Sequence, residues 1–303
     1  MATGRLTSPT MVKELLKRHQ LTARKRYGQN FLVDQNILLR IIAAAELPLG
    51  EDTQLLEIGP GLGTLSRHLA DLVTRLVAVE IDRDLQPVLQ ETLSGCHNIE
   101  MVFGDALKLD LNQLMYGTRE PSLSGEAPKP LPTYVVANLP YYITSPLIST
   151  LLQLEPLPLR LVLMVQKEVG ERICAAPGTK QYGSLSVYVQ ALCIARIEAI
   201  VPATVFYPQP DVSSCLLVLQ PFRVDQREIA SLAVLELTNR AIFGQRRKTL
   251  FNALSGSPHW QLGDNIIHEA ISKLGLNPKS RGEQLTVAQV IALANELASG
   301  SME

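Results

Sequence analysis

The sequence predicts an α/β fold, a doubly wound sheet covered on both faces, followed by a smaller helical domain at the C-terminal end. Three observations carry that expectation. From about residue 53 to 220, short β-branched runs alternate with amphipathic segments, the pattern of βα units. The runs are apolar on both faces, as strands buried from two sides require. After "LQPFRVDQ" the strand signal ends, and the segments that remain read as helices.

The elements follow in order. Residues 1–30 form a basic segment with seven cationic side chains and one acid, a charge of +6 that leaves −7 for the rest of the chain. Such a stretch reads either as a solvated tail or as part of a phosphate-tracking surface. Strands are expected at "QLLEIG", "RLVAVEI", "IEMVFG", "TYVVAN", "LRLVLMV", "RIEAIV" and "SCLLVLQ". Helices are expected between them, over Gly63–Leu72, Asp84–Leu93 and Ser145–Leu152. The Pro/Gly/Ser-rich stretch Tyr116–Pro132 reads as a long surface loop. C-terminal helices are expected at "REIASLAVLELTNRAIF", "QRRKTLFNALS", "DNIIHEAISKL" and "TVAQVIALANELAS". These divide the chain into residues 1–221 and 222–303.

Composition bounds the function. At 303 residues, 46% apolar and 19% charged, the chain is globular and long enough for about two domains. No apolar run approaches the ~20 residues of a membrane span, and the N-terminus lacks an apolar signal core. A cytoplasmic protein with no membrane association is expected. Cys96, Cys174, Cys193 and Cys215 form no CxxC pair and read as buried thiols, so no metal site is expected. The net charge of −1 argues against nucleic-acid binding. Its distribution argues for it, because Arg24, Lys25 and Arg26 cluster at one place and Arg246, Arg247 and Lys248 at another.

"LLEIGPGLGTLSRHLA" runs strand, glycine turn, helix. Gly59, Gly61 and Gly63 permit a tight turn and close approach of a ligand. The loop alone reads equally well as a structural turn. Glu80 ends the next strand, where an acid can hydrogen-bond ribose hydroxyls, and Asp105 ends the third, where a carboxylate could accept from an adenine amino group. Either acid alone reads as a cap or a surface charge. Three features on successive strand ends are the ligand edge of an open Rossmann-like sheet. An acid at Glu80 repels a 2′-phosphate, and no Walker lysine motif is present. The set points to S-adenosyl-L-methionine.

"VVANLPYYITSP" carries the chemistry. Asn138, Leu139, Pro140 and Tyr141 leave the fourth strand in an order that resembles the (D/N)-P-P-(Y/F) loop of amino-methyltransferases. An exocyclic adenine amine is a poor nucleophile because its lone pair is delocalised. The Asn138 amide oxygen and the Leu139 carbonyl could accept both of its N–H groups and redirect the lone pair. Pro140 fixes φ and aims that carbonyl, and Tyr141 offers an aromatic face to the base. The base must first leave its stack. The structural alternative is a turn in which Asn138 caps the helix starting near Ser145.

Together with "ARKRYGQNFLVDQNIL", "VEIDRDL", "GDAL", "QKEVGERI", "YGSLSV", "VFYPQPDVSS" and "FGQRRKTL", these motifs occur in order from about Ala23 to Leu297. In this the chain resembles the KsgA/RsmA-type ribosomal RNA small-subunit adenine dimethyltransferases. The resemblance implies methyl transfer to N6 of two adjacent adenosines near the 3′ end of small-subunit (16S) rRNA, in the 30S pre-subunit, by a monomer. It implies cofactor contacts at Asn30, Leu32, Gly59, Glu80, Asp105 and Asn138. Phe206 is the implied second aromatic against the flipped base, and Pro202, Pro208 and Pro210 around it suggest a rigid exposed loop. The chain departs from the family pattern at Tyr142, where Asn is common, at Phe251, where Arg is common, and in the longer Tyr116–Pro132 insertion. Two other readings compete: a large-subunit rRNA methyltransferase of the Erm type, and a non-catalytic RNA-binding assembly factor.

Overall fold

The computed structural model describes residues 6–48, 50, 52–117, 131–223, 228–245, 247–258, 260 and 262–300. Its first element is a helix, not a solvated tail. Pro9–Arg18 (α1) starts on Pro9, whose missing N–H is no loss at a helix start. It buries Val12, Leu15 and Leu16 at the i, i+3, i+4 spacing of a helical stripe. Phe31–Leu32 (β1) and Gln35–Ala45 (α2) follow, the helix capped by Asp34, whose carboxylate accepts from the N–H groups of Asn36 and Ile37.

The βα alternation then runs as expected. Gln54–Ile58 (β2), Thr64–Ala70 (α3), Arg75–Glu80 (β3), Gln86–Thr92 (α4), Ile99–Phe103 (β4) and Leu111–Tyr116 (α5) come first. Next are Thr133–Asn138 (β5), Thr144–Leu151 (α6), Arg160–Gln166 (β6), Lys167–Ile173 (α7) and Ser184–Leu192 (α8). Cys193–Val201 (β7), Phe206–Tyr207 (β8) and Ser214–Pro221 (β9) complete the strands. Residues 118–130 of the expected surface loop lie outside the described residues.

Seven strands form one sheet in the order β4-β3-β2-β5-β6-β9-β7, and β1 and β8 pair as an antiparallel ribbon. β4 to β6 are parallel, and β9 runs antiparallel to β6. Leu55, Leu56, Leu76 and Val77 at its centre are fully buried, each worth about 1.5–3 kcal/mol of transfer free energy. The chain leaves β2 toward β3 and β4, then returns to β2's other side with β5. That reversal opens a crevice at the carboxyl ends of β2 and β5, where ligands bind in open α/β sheets.

Two compact units result. One comprises Met1–Gly170 with Arg196–Pro221, the other Glu171–Ala195 with Phe222–Glu303. The division expected at 221/222 is one of the crossings, but the second unit also claims Glu171–Ala195. The reason is α8, which buries Val187 and Ala191 in one cluster with Leu235, Ile242 and Leu293. The C-terminal helices are Leu232–Gly244 (α9), Leu250–Ser255 (α10), Asp264–Lys273 (α11) and Val287–Gly300 (α12). Two begin later than the sequence suggested. Ser231 caps α9 by accepting from Val234 N, and residues 247–249 precede α10 as a turn. Phe251 stacks on His268 with ring centroids 4.3 Å apart, so packing replaces the charge common at that position.

Candidate active site

The first unit holds a cleft at the crevice just described, and the predicted cofactor and catalytic residues line it. The sheet register aligns them. Ile58 lies beside Val79 and Ala137, so the ends of β2, β3 and β5 reach the same edge. Gly59 and Gly61 both have positive φ. A Cβ on Gly61 would stand 3.2 Å from the Phe31 ring, and one on Gly59 would stand 3.4 Å from the Asn138 carbonyl oxygen. The turn is therefore pressed between β1 and the end of β5, and only glycine fits at Gly61 without displacing that ring.

Glu80 is 4% exposed. Its carboxylate accepts from Gly61 N at 3.1 Å and from Asp82 N at 2.9 Å, which ties the glycine turn to the end of β3. Burial pushes its pKa up to about 7, opposed by those N–H donors, with the Asp82 charge adding to the rise. Glu57, one residue before the end of β2, is pushed up to about 7 by burial first, with the Glu80 charge adding to it. The Ser66 hydroxyl lies near enough to lower it, although neither Ser66 Oγ nor Glu57 Oε2 meets hydrogen-bond geometry. Asp105 is half-buried; it accepts from Leu107 N at 3.0 Å and lies 3.8 Å from the Lys108 ammonium. It caps its own turn and lines the cleft as well.

Asn138 does not cap α6. Its Nδ2 donates to the Asn30 carbonyl at 3.0 Å. Only the NH₂ side of an amide can donate to a carbonyl, so this bond fixes which way the group faces. Asn138 Oδ1 and the Leu139 carbonyl oxygen accept no hydrogen bond among the described residues. The helix start is held otherwise, by Thr144 Oγ1 donating to Pro140 O and Tyr141 O. Leu139 N donates to Met164 O at 3.1 Å, anchoring the loop to β6. Tyr141 hydrogen-bonds Ser214 Oγ through its hydroxyl at 2.9 Å. Burial raises that phenol's pKa, so it stays neutral.

Phe206 is not on an exposed loop. It is 4% exposed, pairs with Leu32 across the β1–β8 ribbon and packs in the core with Leu38 and Ile41. It also lines the cleft, as do Asn30 and Leu32. One side chain thus serves the core and the site wall.

The predicted basic contacts separate. Arg24 Nη1 donates to the 3%-exposed Asp82 at 2.9 Å, and Nη2 pairs with Asp84, so its charge is engaged within the fold. Desolvation lowers its pKa, and the Asp82 and Asp84 carboxylates together outweigh that, so the net shift is upward. Gln29 Nε2 donates to Asp82 Oδ2 at 2.8 Å and Gln29 Oε1 accepts from Arg24 N at 2.8 Å. This clasp fastens the segment before Asn30 to the turn after β3. Sequence reading missed Asp82, Gln29, Glu57 and Ser214. All four stand inside the quoted motifs, but the groups they meet lie in other motifs: Asp82 meets Arg24, Gln29 meets Asp82, and Ser214 meets Tyr141. Arg26 is exposed and sits 4.6 Å over the Tyr27 ring. Arg247 and Lys248 are exposed in the turn before α10, held by Lys248 N donating to Gln245 O. The Lys25 side chain and Arg246 lie outside the described residues. Cys193 and Cys215 are buried, whereas Cys96 and Cys174 are half-exposed, unlike the expectation. Among the described residues no helix is long and apolar enough to cross a membrane, and no three His, Cys, Asp or Glu converge as metal ligands.

Comparison with known proteins agrees with this geometry. The family described as "Ribosomal RNA adenine dimethylase" matches residues 20–299. The "Ribosomal RNA small subunit methyltransferase A" of Alkaliphilus metalliredigens is 39% identical over 97% of this chain and 99% of its own. That of Geobacillus kaustophilus is 41% identical over 97% of each. Among solved structures, a dimethyladenosine transferase from Plasmodium falciparum superposes with a TM-score of 0.71 at 26% identity, covering 89% of this chain and 98% of that one. The 23S rRNA methyltransferase ErmE superposes with a TM-score of 0.64 at 27% identity, covering 89% and 100%.

Proposed function

This chain belongs to the ribosomal RNA adenine dimethylase family, and on that premise we propose that it methylates N6 of two adjacent adenosines in small-subunit rRNA through the cleft at the ends of β2, β3 and β5. S-Adenosyl-L-methionine, when bound, supplies an electrophilic methyl group on a sulfonium. The chain's residues fit it. Glu80 offers a buried carboxylate for ribose hydroxyls, Asp105 an acceptor for the adenine amine, and the Gly59–Gly61 turn a close backbone approach. Asn30 and Leu32 close the cleft from the β1 side.

The single observation that carries the catalytic reading is the orientation of Asn138. Its NH₂ is committed to Asn30 O, and its oxygen, with the Leu139 carbonyl, remains free to accept. Two acceptors on one exocyclic amine hold its hydrogens and turn its lone pair out of conjugation. Tyr141, tethered by Ser214, and Phe206 supply faces for the base. The proton leaves a product ammonium, so the chain needs no strong base. The small-subunit substrate is favoured by relatives so named at 39–41% identity over nearly the whole chain. An intact Asn138-Leu139-Pro140-Tyr141 set argues for catalysis over RNA binding alone. Arg26, Arg247 and Lys248 supply phosphate contacts. This reading includes action as a monomer, and a ribosomal substrate implies the cytoplasm.

The test supplies labelled S-adenosyl-L-methionine to unmethylated small subunits and maps the product by nuclease digestion and mass spectrometry. The Asn138→Ala variant should lose about 100-fold or more in methyl transfer, far more than it loses in cofactor affinity. Turnover equal to the parent's would remove Asn138 from the mechanism.

A further inference from the structure

Tyr142 is 56% exposed at the mouth of the cleft, on the short turn that follows Pro140. It is the one large side chain of the Asn138–Tyr142 loop that the fold does not bury or tether, because Leu139 is buried and Tyr141 is bonded to Ser214. Tyr27 lines the same cleft, with the Arg26 guanidinium over its ring. The Tyr142 phenol feels its surroundings: partial burial raises its pKa first, then Asp105, Tyr27 and Glu80. Tyr142 and Tyr27 therefore converge on one mouth.

An extruded base leaves its neighbour without a stacking partner. An open aromatic face compensates for that loss, and a cation beside aromatics is the composition that tracks single-stranded RNA. We propose that Tyr142, with Tyr27 and Arg26 beside it, is a stacking platform for the nucleotide next to the adenosine whose base enters the cleft. The platform makes Tyr142 a positioning residue for RNA, where the family commonly has Asn. A protein partner is the weaker occupant, because the patch combines a guanidinium with separate aromatic faces rather than a continuous apolar surface. This inference rests on the proposed base-in-cleft reading.

The experiment compares the parent, Tyr142→Ala and Tyr142→Phe on unmethylated small subunits, with cofactor affinity measured by calorimetry. For Tyr142→Ala the KM for subunits should rise about tenfold or more, from loss of one stacked base, while kcat and cofactor affinity move much less. Tyr142→Phe keeps the ring face and should restore the parent KM. An unchanged KM in Tyr142→Ala would discard the platform. So would a matching loss of cofactor affinity, which would assign the ring to the cofactor, or an equal defect in Tyr142→Phe, which would assign the effect to the hydroxyl. A parent that transfers no methyl group to the subunits would remove the base-in-cleft reading itself. Normal parent turnover with an indifferent Tyr142→Ala removes the platform alone.

Discussion

Glu57 and Glu80 are both buried, on adjacent strands that line the cleft, and each is pushed up to a pKa of about 7 against an ordinary 4.5. Burial disfavours the charged form of both; the Glu80 charge adds to the rise at Glu57, and the Asp82 charge adds to the rise at Glu80. The folded protein thus keeps protons that the unfolded chain has already released between about pH 4.5 and 7. Stability falls as pH rises through that window and levels off above it. Glu57 is the better probe, because its Oε2 has no hydrogen-bond partner. Glu57→Gln should remove about half of the pH slope and leave the variant up to about 3 kcal/mol more stable than the parent near pH 8. Urea unfolding at several pH values checks this, and an unchanged slope would place the titration elsewhere. Glu80 carries a cost the fold tolerates, because the same carboxylate orders the glycine turn through Gly61 N.

At the scale of elements, α1 shows which of two effects governs the N-terminal segment. Arg18 and His19 both reach Glu91, but Arg18 is 58% exposed, and exposed pairs contribute little. On the other side of the helix Leu16 is 5% exposed, in a cluster with Phe31, Leu62 and Leu89. Packing therefore outweighs charge here. Leu16→Ala should cost about 2–5 kcal/mol, whereas Arg18→Ala should leave the unfolding midpoint nearly where it was. The reverse order in chemical denaturation would mean that the basic face, not the apolar one, docks the helix. Phe31 belongs to that cluster and also touches the glycine turn, so α1 supports the cofactor edge through one intermediate side chain.

At the scale of the whole molecule, the second unit is built from two separated stretches of chain. A fragment of residues 1–221 would contain α8 but none of the helices that cover it. Val187 and Ala191 would lose Leu235 and Leu293, leaving an apolar face unpartnered. We expect that fragment to aggregate, or to bind a hydrophobic dye, at concentrations where the full chain does neither. A soluble fragment with one cooperative unfolding transition would show that α8 is not held by those contacts.

Much of this was legible in the chain itself. The strands between residues 54 and 221 announce themselves because a strand buried on both faces must be continuously apolar, a local property. The carboxyl-edge set Gly59, Glu80, Asp105 and Asn138 is legible too, because each residue ends a strand and strand ends in a doubly wound sheet share an edge. Partners chosen across long sequence separations were not. Arg24 finds Asp82 at a separation of 58 residues, and Asn138 finds Asn30 at 108. Nothing in local pattern tells an arginine bound for RNA from one spent inside the fold. Phe206 looked exposed among prolines, yet pairing with Leu32 buries it. Sequence alone determined the period of each element and the chemistry of its ends. Which donor met which acceptor, and which helices α8 joined, was decided only when the sheet brought distant segments within hydrogen-bonding and packing range.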